Sequence, residues 1–133
     1  MDYKAITGPD DPRIKIVLDV EGEDIPVRGN AMVSGDDGLD RQVEDEILQR
    51  VEQGDEWAWC HVKVTIYASC VRMVECGMAI TVDTWANDNL GCCSYMDEDE
   101  FKAGGYYEDM VKTCIDAING RLAGISNLLE FAP

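Results

Sequence analysis

The stretch "WAWCHVKVTIYA", residues 57–68, constrains this chain more than any other. Ala58, Cys60, Val62, Val64, Ile66 and Ala68 alternate over twelve positions with Trp57, Trp59, His61, Lys63, Thr65 and Tyr67. Successive side chains of an extended strand point to opposite faces, so a sustained period of two marks a strand with one buried face. The small aliphatic set belongs in a core. The other face mixes large aromatics with polar groups.

Further strands are expected around this one. "GMAITVDTW" reads as a second strand, with another near Val71 to Val74, and "ANDNLG" reads as loop. Towards the N-terminus, Ile14, Ile16, Leu18 and Val20 of "RIKIVLDV" share a face. "EGED" supplies a turn, and "IPVRGNAMV" can return as a strand. Pro26 lacks an N–H, which makes that strand an edge or a bulged one.

Two helical periodicities flank the centre. The first covers about Gly38 to Gln53, with Leu39, Val43, Ile47, Leu48 and Val51 on one stripe. Asp36 or Asp37 can cap its start, and Gly54 can end it. The second covers about Tyr106 to Leu122, with Met110, Val111, Cys114, Ile115, Ile118 and Leu122 inward. The final "GISNLLEFAP" offers Leu128, Leu129 and Phe131 to the body. The expected fold is α+β: an antiparallel sheet of four or five strands with two helices packed on it, in the order β-β-α-β-β-α. At 133 residues the chain fits a single domain.

Charge sets the functional bounds. Twenty-seven acidic residues face eleven basic ones, a net charge of −16. Residues 1–56 hold sixteen acids and six bases, residues 57–96 three acids against Lys63 and Arg72, and residues 97–133 eight acids and three bases. Direct nucleic-acid binding needs Lys and Arg on the phosphates, so it is excluded as a general role. Docking on an anionic membrane is disfavoured for the same reason. A basic partner fits the charge. No run of eighteen apolar residues is present, and "MDYKAITGPDDP" lacks the basic and apolar regions of a signal peptide, so a cytoplasmic location is expected.

Six cysteines, Cys60, Cys70, Cys76, Cys92, Cys93 and Cys114, are expected as thiols, mostly buried. Zinc sites use paired ligands two to four residues apart, whereas Cys92 and Cys93 are adjacent and His61 is the only histidine. Cys60 and His61, neighbours on a strand, point to opposite faces and do not form a thiolate–imidazole pair. "MDEDEFKAGGYYED" lacks the alternating oxygen ligands of a calcium loop. No metal, cofactor or catalytic residue is assigned.

That acidic stretch has a local reading as a helix start. Asp97 with Glu100 three residues later fits an aspartate form of the capping box, and acids suit a first turn. A short turn over Asp97 to Lys102 would break at Gly104-Gly105. A second reading is a binding surface, in which acidic helix faces present carboxylates spaced like nucleic-acid phosphates. Its candidate contacts are Asp40, Glu44, Asp45, Glu52, Asp97, Glu98, Asp99, Glu100, Glu108 and Asp109. Trp57, Trp59 and Tyr67 read either as a second core layer under a helix or as an exposed binding patch.

"EWAWCHVKVT", "LGCCSY", an acidic pair with Phe101 and "GGYYEDMV" together resemble uncharacterised small acidic accessory proteins of phages and prophages. The resemblance covers about residues 55–119. It implies a phage accessory origin and, by analogy, an inhibitor of host nucleic-acid machinery of the anti-CRISPR or anti-restriction type. The leading expectation is therefore a non-enzymatic interaction protein. It would block a basic, nucleic-acid-binding surface of a host defence or DNA-processing complex. The alternatives are a small-ligand binder or enzyme with a pocket near Trp57, Trp59 and Tyr67, and a phage structural or assembly subunit; a homodimer is compatible with either class.

Overall fold

A computed structural model describes residues 3–31, 34–73 and 76–130, without the side chains of 126–130. The fold is α+β, with β1 Ile14–Gly22, α1 Asp37–Glu52, β2 Cys60–Met73, β3 Ala79–Cys93, α2 Glu98–Ala103 and α3 Tyr106–Glu130. The strands form an antiparallel sheet in the order β1-β2-β3.

Three strands replace the expected four or five among the described residues, for two reasons, and one strand is longer than expected. "IPVRGNAMV" does not return as a strand. Over residues 25–31 the chain turns instead, with Asn30 and Ala31 both donating their N–H to the Val27 carbonyl at 3.1 Å. Gly29 there has φ +79°. Val27 is buried with Ile47 and Trp59, a position that a ladder partner of β1 would give up. The last two residues of that stretch, 32–33, lie outside the described residues. Val71 to Met73 is the end of β2 rather than a separate strand, and Val74 lies outside the described residues. Finally, "ANDNLG" is not a loop. β3 runs straight through it, with Ala86 buried and Asp88 and Leu90 half-buried in unbroken alternation. The long partner strand overrides the local turn preference of Asn and Asp.

Helices also differ from expectation. The short turn after Asp97 is a helix, α2, which makes three helices among the described residues where two were expected. α3 passes Leu122 and continues to Glu130. Gly120 and Gly124 lie inside it, and a helix-interior glycine costs only about 1 kcal/mol against alanine. The suggested contacts of Leu128, Leu129 and Phe131 lie outside the described side chains. The order is β-α-β-β-α-α.

The chain divides into two compact units, each made of distant segments. The first comprises residues 1–17, 64–88 and 108–133. Its core joins Val64, Ile66, Ala68 and Cys70 of β2 to Met110, Val111, Cys114, Ile115, Ile118 and Leu122 of α3, all buried. Every one of these core positions was expected from periodicity except Cys70. The Cys114 thiol reaches the Val64 carbonyl at 3.8 Å. The N-terminal segment is tied to α3 through Asn119, whose side chain accepts from the Ile6 N–H at 2.7 Å and donates to the Ile6 carbonyl at 3.1 Å.

The second unit comprises residues 18–63 and 89–107. It has two apolar clusters. In one, α1 lays Ile47, Val43 and Leu48 over Trp59 and Val27. Leu39 and Val51, at the ends of the predicted stripe, are exposed. In the other, Trp57, Tyr95 and Phe101 meet ring to ring, with centroids 5.1–6.4 Å apart. Phe101, fully buried, anchors α2.

Candidate functional site

The two units share the charge very unequally. Residues 18–63 and 89–107 hold seventeen acids and five bases, net −12, while the remaining segments hold ten acids and six bases, net −4. The second unit is therefore the acidic one. Eight of the ten candidate contact residues belong to it: Asp40, Glu44, Asp45, Glu52, Asp97, Glu98, Asp99 and Glu100. Glu108 and Asp109 belong to the first unit, exposed in the opening turn of α3.

α1 positions the first group. Asp36 caps it by accepting the Leu39 N–H at 3.1 Å. At the other end Gly54 (φ +80°) closes a Schellman motif, with the Asp55 N–H on the Arg50 carbonyl and the Gly54 N–H on the Val51 carbonyl. Asp40 is half-buried and accepts the Ser34 hydroxyl at 2.6 Å, so it orders the loop before the helix. Asp45 is exposed and paired with Arg28. Glu52 is exposed and has no partner among the described residues.

Glu44 has to be removed from the surface set. It is only 7% exposed, and its carboxylate accepts the Gly29 N–H at 2.6 Å and Arg28 Nη1 at 3.3 Å. It pins the 25–31 turn onto α1. Helical spacing puts Glu44 on the apolar face, three and four residues before Ile47 and Leu48, but only the folding of the 25–31 turn against it turns that acid into a buried clamp.

α2 positions the second group. Asp97 caps it by accepting the Glu100 N–H at 2.9 Å, and Glu100 reaches back to accept the Met96 N–H at 2.9 Å. This is the expected capping arrangement, with the return bond shifted one residue outward. Both carboxylates remain exposed. Glu98 lies 3.7 Å from Lys102, and Asp99 is exposed without a partner among the described residues. Arg50, in the last turn of α1, donates to the Tyr95 carbonyl at 2.6 Å, and Asp55 lies 2.8 Å from its guanidinium. One side chain thus ties the end of α1 to the residues leading into α2. Glu46 and Glu56, exposed in the same unit, extend the acidic set, and nothing beyond their charge marks them in the sequence.

The adjacent cysteines mark a break in β3. Alternation runs evenly to Leu90, then Gly91 and Cys92 are both exposed and Cys93 is buried. Cys92 has φ +55°, rare for a residue with a side chain. It acts as the extra residue of a bulge and turns Cys93 inward beside Cys60. The Cys60 thiol donates to the Cys93 carbonyl at 3.4 Å. The side-chain interaction of the two cysteines raises the Cys60 thiol, with burial adding to it, and lowers that of Cys93. Glu23 braces the bulge by accepting the Cys92 N–H at 3.1 Å. All six cysteines are free; Cys60, Cys70, Cys93 and Cys114 are buried, and Cys76 and Cys92 exposed.

The aromatic residues have separate duties. Trp59 is buried and donates its indole N–H to the Ile25 carbonyl at 2.6 Å. Trp57 is half-buried in the Tyr95–Phe101 cluster. Tyr67 is 51% exposed in the first unit, where it lines a shallow groove with Trp85 and Arg13. The second unit also has a small polar hollow of about 200 Å³ across the three strands, lined by Asp19, Glu21, His61, Lys63 and Asn89. His61 and Asn89 are hydrogen-bonded there at 3.1 Å.

Among the described residues, no group of three or more His, Cys, Asp or Glu side chains is placed to hold a metal ion, and no helix is long and apolar enough to cross a membrane. No protein-family model, no curated protein and no solved structure matches this chain.

Proposed function

We propose that the chain is an acidic interaction protein that occupies a basic, nucleic-acid-binding surface and keeps nucleic acid off it. The observation that carries this reading is the concentration of charge: net −12 on residues 18–63 and 89–107, which include both acidic helices. Glu46, Glu52, Glu98 and Asp99 are exposed, and none is needed as a helix cap or a turn anchor. Carboxylates held on short helices with ordered ends meet a groove of Arg and Lys at little conformational cost. The complementarity would steer association and fix orientation.

The resemblance to phage and prophage accessory proteins supports a host defence or DNA-processing complex as the partner, in the manner of an anti-CRISPR or anti-restriction protein acting inside the bacterial cell. The test is to immobilise the protein and capture partners from a bacterial lysate at low and then high salt. The expected result is a nucleic-acid-binding complex that releases as salt rises and that no longer holds its nucleic acid while captured. The variant Glu46→Lys, Glu52→Lys, Glu98→Lys, Asp99→Lys should capture less and show a flatter salt dependence. Equal capture by this variant, with its helix content intact, would exclude the acidic helices as the contact.

A further inference from the structure

Arg72 is the one guanidinium among the described residues whose surroundings are incomplete. Of the six arginines, Arg13, Arg28, Arg50 and Arg121 donate to carboxylates, hydroxyls or backbone carbonyls, and Arg41 is exposed to water. Arg72, near the end of β2, has Nε and Nη1 both buried with no hydrogen-bond partner among the described residues. Arg72 is half-buried overall, but these two N–H donors have given up water and received no acceptor in return, which is costly.

The residue lines a cavity of about 450 Å³ in the first unit. That size lies within the usual range of small-ligand sites. Its walls are of two kinds. Pro12, Val71 and Met73 are apolar, while Lys4 adds a second cation. Asp11 is the sole acid in the lining among the described residues, and Arg13 already holds it: Asp11 Oδ1 accepts from Arg13 N and Nε, each at 3.0 Å, and Oδ2 from Arg13 Nη2 at 2.8 Å and Thr7 N at 3.2 Å. Arg13 is equally committed, since its Nη1 donates to the Lys4 carbonyl at 2.6 Å and its Nη2 also donates to the Ala5 carbonyl at 2.8 Å. The Asp11–Arg13 pair is a closed neutral wall. The donors left without an acceptor are Nε and Nη1 of Arg72, and the exposed Lys4 adds positive charge at the rim.

We propose that this cavity binds a small organic anion, with a carboxylate or phosphate oxygen on Arg72 and a short hydrocarbon body over Pro12, Val71 and Met73. The chemistry follows from the lining. A cation with buried, acceptor-free nitrogens selects an oxyanion, and exposed Val71 and Met73 at the same cavity favour a ligand with an apolar part over a bare inorganic ion. A strongly acidic chain has no general affinity for anions, so binding here would be local to this site.

The test is an amide NMR titration of the intact protein with hexanoate, hexanol and inorganic phosphate. Hexanoate should give saturable shifts centred on residues 4, 11–13 and 71–73, phosphate weaker ones at the same residues, and hexanol none. Arg72→Met removes the charge and keeps a similar apolar stem. It should weaken hexanoate binding by about tenfold or more, and it should raise the melting temperature of the ligand-free protein, because the donors without an acceptor are gone. Three results would overturn the proposal: no saturable response to either anion, equal hexanoate binding by Arg72→Met, or a melting temperature lowered by Arg72→Met. The last would mean that the guanidinium is answered within the chain itself.

Discussion

The carboxylate of Glu44 accepts the backbone N–H of Gly29 at 2.6 Å, across a separation of fifteen residues, and the Arg28 guanidinium stands beside it at 3.3 Å. One buried acid on α1 thereby fixes a turn that cannot form a strand, and the turn in turn delivers Val27 to Ile47 and Trp59. Glu44→Ala would leave the Gly29 N–H without its acceptor and Arg28 without its inner partner. Hydrogen bonds to charged groups are worth about 1.5–3 kcal/mol, so a loss of about 2 kcal/mol is expected. Urea titration of the variant measures it. Glu52→Ala, on the same helix and exposed, is the matched control and should change stability by less than roughly 0.5 kcal/mol.

Asp11 supplies a pH signature. The side-chain and backbone hydrogen bonds of Arg13 hold its carboxyl well below the usual carboxylate range. A depressed folded-state pKa means that Asp11 stabilises the fold fully above its unfolded value, about 3.9, and that the contribution fades as pH falls through the lower folded value. The whole chain also relaxes its self-repulsion as carboxylates protonate, which would mask the effect in wild type alone. The difference between wild type and Asp11→Asn removes that common term. It should be constant from neutral pH down to about 4 and shrink below that. A difference that narrows between pH 7 and 5 would place the titrating group elsewhere.

Periodicity made the centre of this fold legible. Val62, Val64, Ile66 and Ala68 on β2 and Met110, Val111, Cys114, Ile115, Ile118 and Leu122 on α3 repeat at periods of two and near four, and all are buried as expected. Caps were legible too, since Asp36 and Asp97 act on the backbone three residues away, within the same few residues that a sequence displays. What the sequence concealed depends on contacts between distant segments. The turn at 25–31 has the alternation of a strand, and only Glu44 and Trp59, far along the chain, show why it is not one. The Asn-rich part of β3 has turn composition, and only its long partner strand keeps it extended. The acidic residues were visible, but their assignment was not: Glu44, Asp45 and Glu46 are consecutive, and one is a buried clamp, one an ion-pair partner and one an exposed charge.

Gly54 tests the helix ending in isolation. Its φ of +80° belongs to the left-handed region, and an added Cβ would meet no atom within 4 Å. Gly54→Ala therefore carries a backbone penalty with no packing penalty. The expected cost is about 1 kcal/mol, seen as a lower urea midpoint with an unchanged denaturant slope. Gly29→Ala, at φ +79° with equally open space, should cost a similar amount. A neutral result at Gly54 would mean that the Schellman turn opens in solution.

Cys92 gives a chemical readout of the bulge that separates it from Cys93. Its thiol is raised above the ordinary range, first by partial burial and then by its hydrogen bond to Glu23 Oε1 at 3.4 Å. The thiolate is the species that reacts with alkylating agents, so Glu23 suppresses that reaction at neutral pH. Glu23→Gln keeps the shape of the acceptor and removes its charge. Cys92 should then be alkylated several-fold faster, as followed by mass spectrometry of the native protein at fixed pH. Cys60, fully buried and donating to the Cys93 carbonyl, should stay unmodified in both proteins over the same interval. Two further outcomes are informative because Glu23 also accepts the Cys92 N–H. If Cys60 becomes reactive along with Cys92, the carboxylate holds the bulge in place and its loss opens the end of β3. If Cys92 reacts no faster, the charge of Glu23 does not reach the thiol, and the left-handed backbone alone sets its exposure.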